Sequence, residues 1–276
     1  MDAELREFWQ TKVGSPRREI FLNLGTLPAA PKNAPSRLLL LIGRQIEVRV
    51  LGDELWLGEQ LWVRSGQLGA EVCCVPEGAP TEAWALIFTE LHRAGGWLPL
   101  HASVIAAGQR AVALTGVSGA GKSTAALRLY TAGRQVIAED RAFWHAASGE
   151  IRGLDTHLRV YDDSLKQFAP DLLSSAGAWD RDAHGKLRMP IQIGAPHRTQ
   201  LIQLLLLSVR REELSAPERV RALWETTGVP LTTTAREQVQ RGIARLLPLL
   251  APCSLSRKEV VSTAGELLSP IPMPEN

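Results

Sequence analysis

The segment Gly116-Val117-Ser118-Gly119-Ala120-Gly121-Lys122-Ser123 constrains the fold of this chain more than any other feature. It fits the pattern G-x-x-x-x-G-K-[ST], in which backbone N–H groups in a glycine-permitted curve point at phosphate oxygens at the positive end of a helix. An apolar stretch, residues 111–115, precedes the segment, and a stretch with helix-forming residues, 124–130, follows it. The sequence therefore predicts a strand, a phosphate-binding loop and a helix in succession, and with them the binding of a nucleoside triphosphate.

Individual residues of this loop have separable expected roles. Lys122 supplies a point charge for the β- and γ-phosphates, the Ser123 hydroxyl is placed to bind Mg²⁺, and Thr124 offers a further hydroxyl. A glycine-rich turn that binds nothing would not explain a lysine and a serine at this register. We therefore expect residues 116–124 to hold a magnesium–nucleotide complex, with ATP as the expected ligand.

Two acidic residues follow the next apolar stretch, residues 136–138, which predicts a short strand. Because parallel strands end at the same crevice, Glu139 and Asp140 are expected to face the γ-phosphate. One carboxylate can then hold Mg²⁺ while the other accepts the proton of an attacking hydroxyl. The alternative interpretation is a solvated acidic turn.

His101 opens the first strand of a predicted hairpin, residues 102–107 and 111–115, which leads into the phosphate loop. Its ring is expected close to the acids, where it can orient or tune one of them. A lone histidine is more often a packed or surface residue, and that interpretation stays open.

The remaining sequence predicts two domains. Residues 37–63 are rich in strand-forming residues and indicate a small antiparallel sheet, whereas the first 36 residues indicate irregular structure with at most one strand. Pro76 and Pro80 then interrupt the chain before a helix capped by Thr81. We place the boundary near residue 80, between a β-rich module (1–80) and a nucleotide-binding domain (81–276). Later patterns predict a strand or buried helix at 201–209 and helices near 218–225, 235–247 and 258–268.

Composition excludes several classes of function. Hydrophobic residues make up 45% of the chain and charged residues 22%, which is typical of a folded core. The net charge of +2, from 31 basic and 29 acidic residues, gives no field that would attract nucleic acid or an anionic membrane. The N-terminus does not resemble a secretory signal, and no apolar run approaches the ~18 residues of a membrane span. We expect a cytoplasmic protein whose Cys73, Cys74 and Cys253 act as small hydrophobic residues.

Three segments together resemble the catalytic domain of HPr kinase/phosphorylase and its divergent relatives, which include kinases associated with lasso peptides. The segments are Leu100-His101-Ala102-Ser103-Val104-Ile105, the phosphate loop, and Val136-Ile137-Ala138-Glu139-Asp140-Arg141. The close resemblance covers about 45 residues. It implies an α/β fold, with a P-loop kinase domain of the HPr kinase/PEP carboxykinase-like type and a smaller N-terminal β-rich module.

The resemblance also implies roles for single residues. His101 matches the family's active-site histidine, Glu139 matches the acid that acts as base toward a serine, and Asp140 matches the acid that helps to hold the metal. Glutamate stands at position 139 where the family usually has aspartate. The stretch Glu150-Ile151-Arg152-Gly153 is similar to a short family signature, but the residues after it fit the divergent relatives better.

The sequence leaves the supporting arginine and the acceptor open. An arginine that stabilises charge on the transferred group is expected, and the candidates are Arg152, Arg159, Arg198 and Arg210. Our leading hypothesis is an ATP-dependent kinase that phosphorylates a hydroxyl, most naturally a serine of a peptide or small protein. The alternatives are a kinase for a small molecule, such as a free hydroxy amino acid, and a nucleotide-binding regulatory module without transfer activity. A homo-oligomer is compatible with all three of these hypotheses.

Overall fold

The structure is a computed structural model that describes residues 19–41, 43–66, 68–191 and 199–269. It is a mixed α/β protein with several sheets, and the described residues contain seven α-helices. Two compact units divide the chain: unit 1 comprises residues 1–99 and 228–244, and unit 2 comprises residues 100–227 and 245–276.

Unit 1 is built on a six-stranded sheet and the helix that follows it in the chain. The elements are β1 Glu19–Leu24, β2 Ser36–Leu41, β3 Arg44–Leu51, β4 Glu54–Leu57, β5 Leu61–Ser65, β6 Gly69–Cys74 and α1 Thr81–Ala94. The strand order is β1-β6-β5-β4-β3-β2, in which β1 runs parallel to β6 and the other pairs are antiparallel. The predicted antiparallel sheet is confirmed. Among the described residues before Ser36, where β2 begins, β1 is the one strand.

The unit boundary lies elsewhere than the predicted division near residue 80. Helix α1 was assigned to the second domain, yet its Ile87 and Leu91 belong to the same hydrophobic cluster as Leu55 and Val63 of the sheet. The helical periodicity shows that α1 has an apolar face, but it does not show which sheet that face covers. Thr81 is also the first helical residue rather than the cap, and Pro80 precedes it without a side-chain capping bond.

Most of the remaining elements belong to unit 2, but the strand at 97–101 crosses the unit boundary and the helix at 233–246 lies almost wholly in unit 1. In chain order they are β7 Trp97–His101, β8 Ser103–Ala107, β9 Arg110–Thr115, α2 Lys122–Thr131, β10 Gln135–Ala138, β11 Arg141–His145, β12 Ile151–Gly153, β13 His157–Val160, α3 Asp162–Phe168, α4 Leu173–Ala176, β14 Leu187–Pro190, β15 Gln200–Leu206, β16 Glu212–Glu213, α5 Ala216–Thr227, α6 Thr233–Leu246, β17 Cys253–Ser254 and α7 Glu259–Leu267. Short 3₁₀ helices span Pro170–Leu172 and Leu247–Leu249.

A four-stranded sheet with the order β10-β8-β9-β15 organises unit 2. Strand β8 is antiparallel to both β9 and β10, and β15 is parallel to β9. Because β9 and β10 both run opposite to β8, their carboxyl ends lie at the same edge of the sheet. The phosphate loop follows β9, and Glu139 and Asp140 follow β10, so the predicted convergence of loop and acids is confirmed.

The strand-or-helix ambiguity at 201–209 is resolved in favour of a strand, β15. The three C-terminal helices predicted near 218–225, 235–247 and 258–268 correspond to α5, α6 and α7. The predicted hairpin before the phosphate loop is present as β8 and β9. Within the described ranges, we find no helix with the length and apolar character needed to cross a membrane.

Candidate active site

The phosphate loop joins the end of β9 to the first residue of α2. Lys122 is that first residue. The hydrogen bond from Ala125 N to Gly121 O (2.9 Å) is the first of the helical backbone bonds of α2. The amides before it are therefore at the positive end of a helix, which favours an anion there. The predicted cradle has the expected strand–loop–helix setting.

Two glycines in the loop stand where a side chain would not fit. Gly116 has a φ of 147°, and a Cβ there would lie 2.6 Å from the carbonyl oxygen of Leu207. Gly121 has a φ of 107°, and its Cβ would lie 3.2 Å from Nε of Arg257. The left-handed backbone and the close neighbours together explain why glycine occupies both positions.

The other residues predicted to contact the nucleotide divide into two groups. Val117, Ser118 and Gly119 are exposed at the crest of the loop. Thr124 is partly buried, and its hydroxyl lies 3.4 Å from that of Ser164 on α3. The crest is thus open to a ligand, whereas Thr124 contacts a neighbouring helix.

Lys122 is buried, with 8% of its surface exposed. Its Nζ donates to the Gly116 carbonyl (2.9 Å) and lies 3.2 Å from Nε2 of His101. Since an ammonium group only donates, Nε2 of His101 accepts, which leaves the ring proton on Nδ1. Burial lowers the pKa of Lys122, and the carboxylates of Asp140 and Glu139 partly offset this effect.

Glu139 is buried and held on both of its oxygens. Oε1 accepts a hydrogen bond from the Ser123 hydroxyl (2.6 Å), and Oε2 accepts from Nε of Arg159 (2.7 Å). Burial raises the pKa of Glu139, against the opposing effects of Ser123 and Arg159. The carboxylate thus lies beside the hydroxyl that is expected to bind magnesium.

Asp140 is the more open of the two acids, with a side chain 28% exposed against 4% for Glu139. One oxygen lies 3.2 Å from Nδ1 of His101, and the other lies 3.4 Å from Arg159. The sequence assigned the base to Glu139 and the metal to Asp140. In the structure Glu139 contacts the Ser123 hydroxyl, and Asp140 is the more exposed of the two carboxylates.

Of the four candidate arginines, the structure brings Arg159 to the acids. Arg152 and Arg210 each pair with a glutamate two residues away in the chain. Arg198 lies outside the described residues. The pKa of Arg159 is lowered by burial, but the carboxylates of Glu139 and Asp140 outweigh burial and the net shift is upward. It therefore remains a cation beside both acids.

Sequence reasoning assigned no role to Asp155. Its Oδ2 accepts hydrogen bonds from the backbone N–H groups of Glu139 (2.9 Å), Asp140 (2.8 Å) and Arg141 (2.8 Å). It follows the Glu150-Ile151-Arg152-Gly153 stretch by two residues. No local pattern could have shown that its partners lie 14 to 16 residues earlier in the chain.

Arg257 was also missed. Its Nε donates to the carbonyl of Ala120 (2.9 Å), and its Nη2 donates to the carbonyl of Gly119. These bonds hold two carbonyl groups of the loop. The separation of 137 residues between Arg257 and Ala120 leaves no signal in the sequence.

The residues present fit a magnesium–triphosphate complex. A hydroxyl, a carboxylate that accepts from it, and a buried ammonium group surround the start of α2, and magnesium in such sites takes most of its other ligands from phosphate and water. Within the described part of the chain, no cluster of three or more His, Cys, Asp or Glu side chains is arranged for a metal ion.

No protein-family model and no curated protein matches this chain.

Proposed function

We propose that this protein is a kinase that transfers the γ-phosphoryl group of ATP to a hydroxyl group. The observation that carries the proposal is the meeting of three parts at one sheet edge: the glycine loop with Lys122, the Ser123–Glu139 pair, and the open carboxylate Asp140. A loop alone would support nucleotide binding, whereas the second, open acid supports transfer.

In this proposal the loop amides and Lys122 hold the β- and γ-phosphates. Ser123 would bind Mg²⁺, with Glu139 beside it, and the metal would offset negative charge on the transferred group. Lys122 is hydrogen-bonded to the Gly116 carbonyl and to His101, and a triphosphate would offer its ammonium stronger, anionic acceptors. Exchange of these partners needs only a movement of the lysine side chain.

Asp140 is the proposed proton acceptor. The hydroxyl oxygen of the acceptor forms the new bond to Pγ as its proton passes to Asp140, and the bond from Pγ to the bridging oxygen of ADP breaks. His101, whose Nδ1 lies against Asp140, orients that carboxylate. Arg159 stabilises charge around the acids and the transferred group, because its guanidinium reaches both carboxylates.

The acceptor class is proposed from the resemblance to the HPr kinase/phosphorylase group, which phosphorylates a serine. We propose a serine of a peptide or small protein, with unit 1 contributing to its recognition. Unit 1 contains a cleft of about 570 Å³ between residues 25–30 and the sheet, lined by Pro28, Trp56 and Val75 among others. The lining also includes the charged residues Glu47, Arg49 and Glu59.

A transfer assay tests the proposal. Purified protein is added to a native lysate with magnesium and γ-labelled ATP, and phosphorylated peptides are identified by mass spectrometry. We expect new phosphoserine in few polypeptides, and none of it with the Asp140→Asn variant. Label on no peptide, protein or small molecule, despite bound ATP, would overturn the kinase proposal.

One observation favours a second candidate, a nucleotide-binding regulatory module. Glu139, at the position where the resembling family has its base, is engaged on both oxygens by Ser123 and Arg159. In that case ATP binds and nothing is phosphorylated. The lysate assay, together with a titration showing that the wild-type protein binds ATP, separates the two candidates.

The contacts of Arg257 lead to a prediction about nucleotide affinity. Arg257→Ala removes two charge-assisted bonds to the carbonyls of the loop, so the loop is less fixed before the ligand arrives. We expect ATP affinity to fall about tenfold, which corresponds to ~1.4 kcal/mol. The matched control is Lys258→Ala, which removes the same charge from the next, exposed residue. Equal losses in the two variants would mean that charge, and not loop fixation, is the cause.

A further inference from the structure

The carboxylate of Asp155 is bonded to the backbone that carries the two acids. One oxygen accepts from three successive amides, those of Glu139, Asp140 and Arg141, and the other accepts from Nε of Arg141 (3.0 Å). The Asp155 side chain is 9% exposed. Three consecutive N–H groups that curve around one anionic oxygen form an anion-binding nest, filled here by the chain's own carboxylate.

The segment that this nest fixes has no regular sheet ladder of its own. Strand β10 ends at Ala138 after an irregularity in its pairing with β8, and residues 139 and 140 form a bend. Hairpin contacts hold the two carbonyls: Ser103 Oγ donates to Glu139 O (2.6 Å), and Ala102 N donates to Asp140 O (3.2 Å). Asp155 supplies the complementary bonds to the two amides. Every backbone polar group of the acidic bend is thereby paired.

We infer that Asp155 is a positioning residue that sets Glu139 beside Ser123 and Asp140 beside His101. The inference rests on the proposed function of this site. Strand β13, which carries Arg159, begins two residues after Asp155, so the same residue links the acidic bend to the arginine's strand. Outer-shell partners of this kind fix the direction of the groups that contact a metal or a substrate, and their removal typically costs about 10–100-fold in metal affinity or activity.

The variant Asp155→Asn tests this inference. An asparagine keeps one carbonyl oxygen but loses the anionic charge, and its NH₂ group faces other donors. We expect the protein–ATP complex to bind Mn²⁺, used as a paramagnetic substitute for Mg²⁺, about tenfold more weakly, as measured from the electron paramagnetic resonance signal of free Mn²⁺. The affinity for ATP in EDTA depends on the loop and Lys122 and not on the metal. We therefore expect this affinity to change by less than about twofold, which corresponds to ~0.4 kcal/mol.

Two further variants complete the design. Asp162→Asn is the matched control, because it makes the same change in an exposed ion pair with Arg181. Asp155→Glu keeps the charge but moves the oxygens by one methylene, so it is also expected to weaken Mn²⁺ binding if position matters. If only the charge of residue 155 matters, and not the position of its oxygens, Asp155→Glu will bind Mn²⁺ as the wild type does.

The outcomes separate failure of the inference from failure of the proposed function. A wild-type protein that binds neither ATP nor Mn²⁺·ATP contradicts the proposed function itself. Wild-type binding with unchanged Mn²⁺ affinity in both Asp155 variants overturns the positioning role, as does an equal loss of ATP affinity in EDTA, which would indicate general damage to the fold. Selective loss of Mn²⁺ affinity in both Asp155 variants, with Asp162→Asn unchanged, supports it.

Discussion

Replacing Lys122 with alanine is expected to lower phosphoryl transfer by about 10²- to 10³-fold, the typical cost of removing a preorganised donor from a water-excluded site. The ammonium is the proposed contact to the β- and γ-phosphates. Single-turnover transfer of label from ATP measures the effect.

The same variant should fold normally, which distinguishes a functional lysine from a structural one. Lys122 is buried and burial lowers its pKa, so keeping this lysine charged in the folded protein costs desolvation free energy. We expect the free energy of unfolding to change by less than about 1 kcal/mol, because loss of the hydrogen bonds is offset by relief of that cost. Lys166→Ala, at an exposed position on α3, is the control for loss of charge. Transfer at the wild-type rate in Lys122→Ala would contradict the mechanism.

Replacing Glu90 with alanine is expected to destabilise unit 1 by about 3–5 kcal/mol, the usual cost of breaking a buried ion pair from one side. Glu90 is fully buried on α1, and Oε2 lies 3.3 Å from Nη1 of Arg93, which is 6% exposed. Its Oε1 accepts from the backbone of Leu231 (2.7 Å) and from both the amide and the hydroxyl of Thr232 (2.5 and 2.9 Å). Alanine leaves these donors and the buried guanidinium without that acceptor.

The effect of Glu90→Ala is measured by urea unfolding followed by tryptophan fluorescence. Glu82→Ala is the matched control, since it removes the same side chain from the first turn of the same helix, where an acid typically contributes 0.3–1 kcal/mol. A loss in Glu90→Ala no larger than in the control would show that the bonds to residues 231 and 232 do not stabilise the unit.

The local parts of the site could be predicted from the sequence. The loop, Lys122 and Ser123 lie in one short segment, and their geometry follows from a strand, a glycine curve and a helix. Glu139 and Asp140 follow the next strand, and the common direction of β9 and β10 brings them to the same edge. His101 begins the hairpin that leads to the loop, and its ring does reach both Lys122 and Asp140.

Contacts between distant segments could not be predicted in this way. Arg257 and Asp155 act on backbone groups far from them in sequence, and neither carries a local pattern. The two acids are adjacent, so spacing could not tell which one turns toward Ser123. The same limit explains the unit boundary: the apolar face of α1 is visible in the sequence, but its partners in the sheet and Leu231 are not.

Calorimetric titration of the purified protein with ATP, in magnesium and then in EDTA, tests the central claim most directly. We predict saturable binding in magnesium that weakens by at least about tenfold when the metal is removed, as expected if Ser123 and Glu139 form the metal side of the site. Absence of binding heat with both ATP and GTP in magnesium would contradict the assignment of residues 116–123 as a phosphate cradle, and the kinase proposal with it.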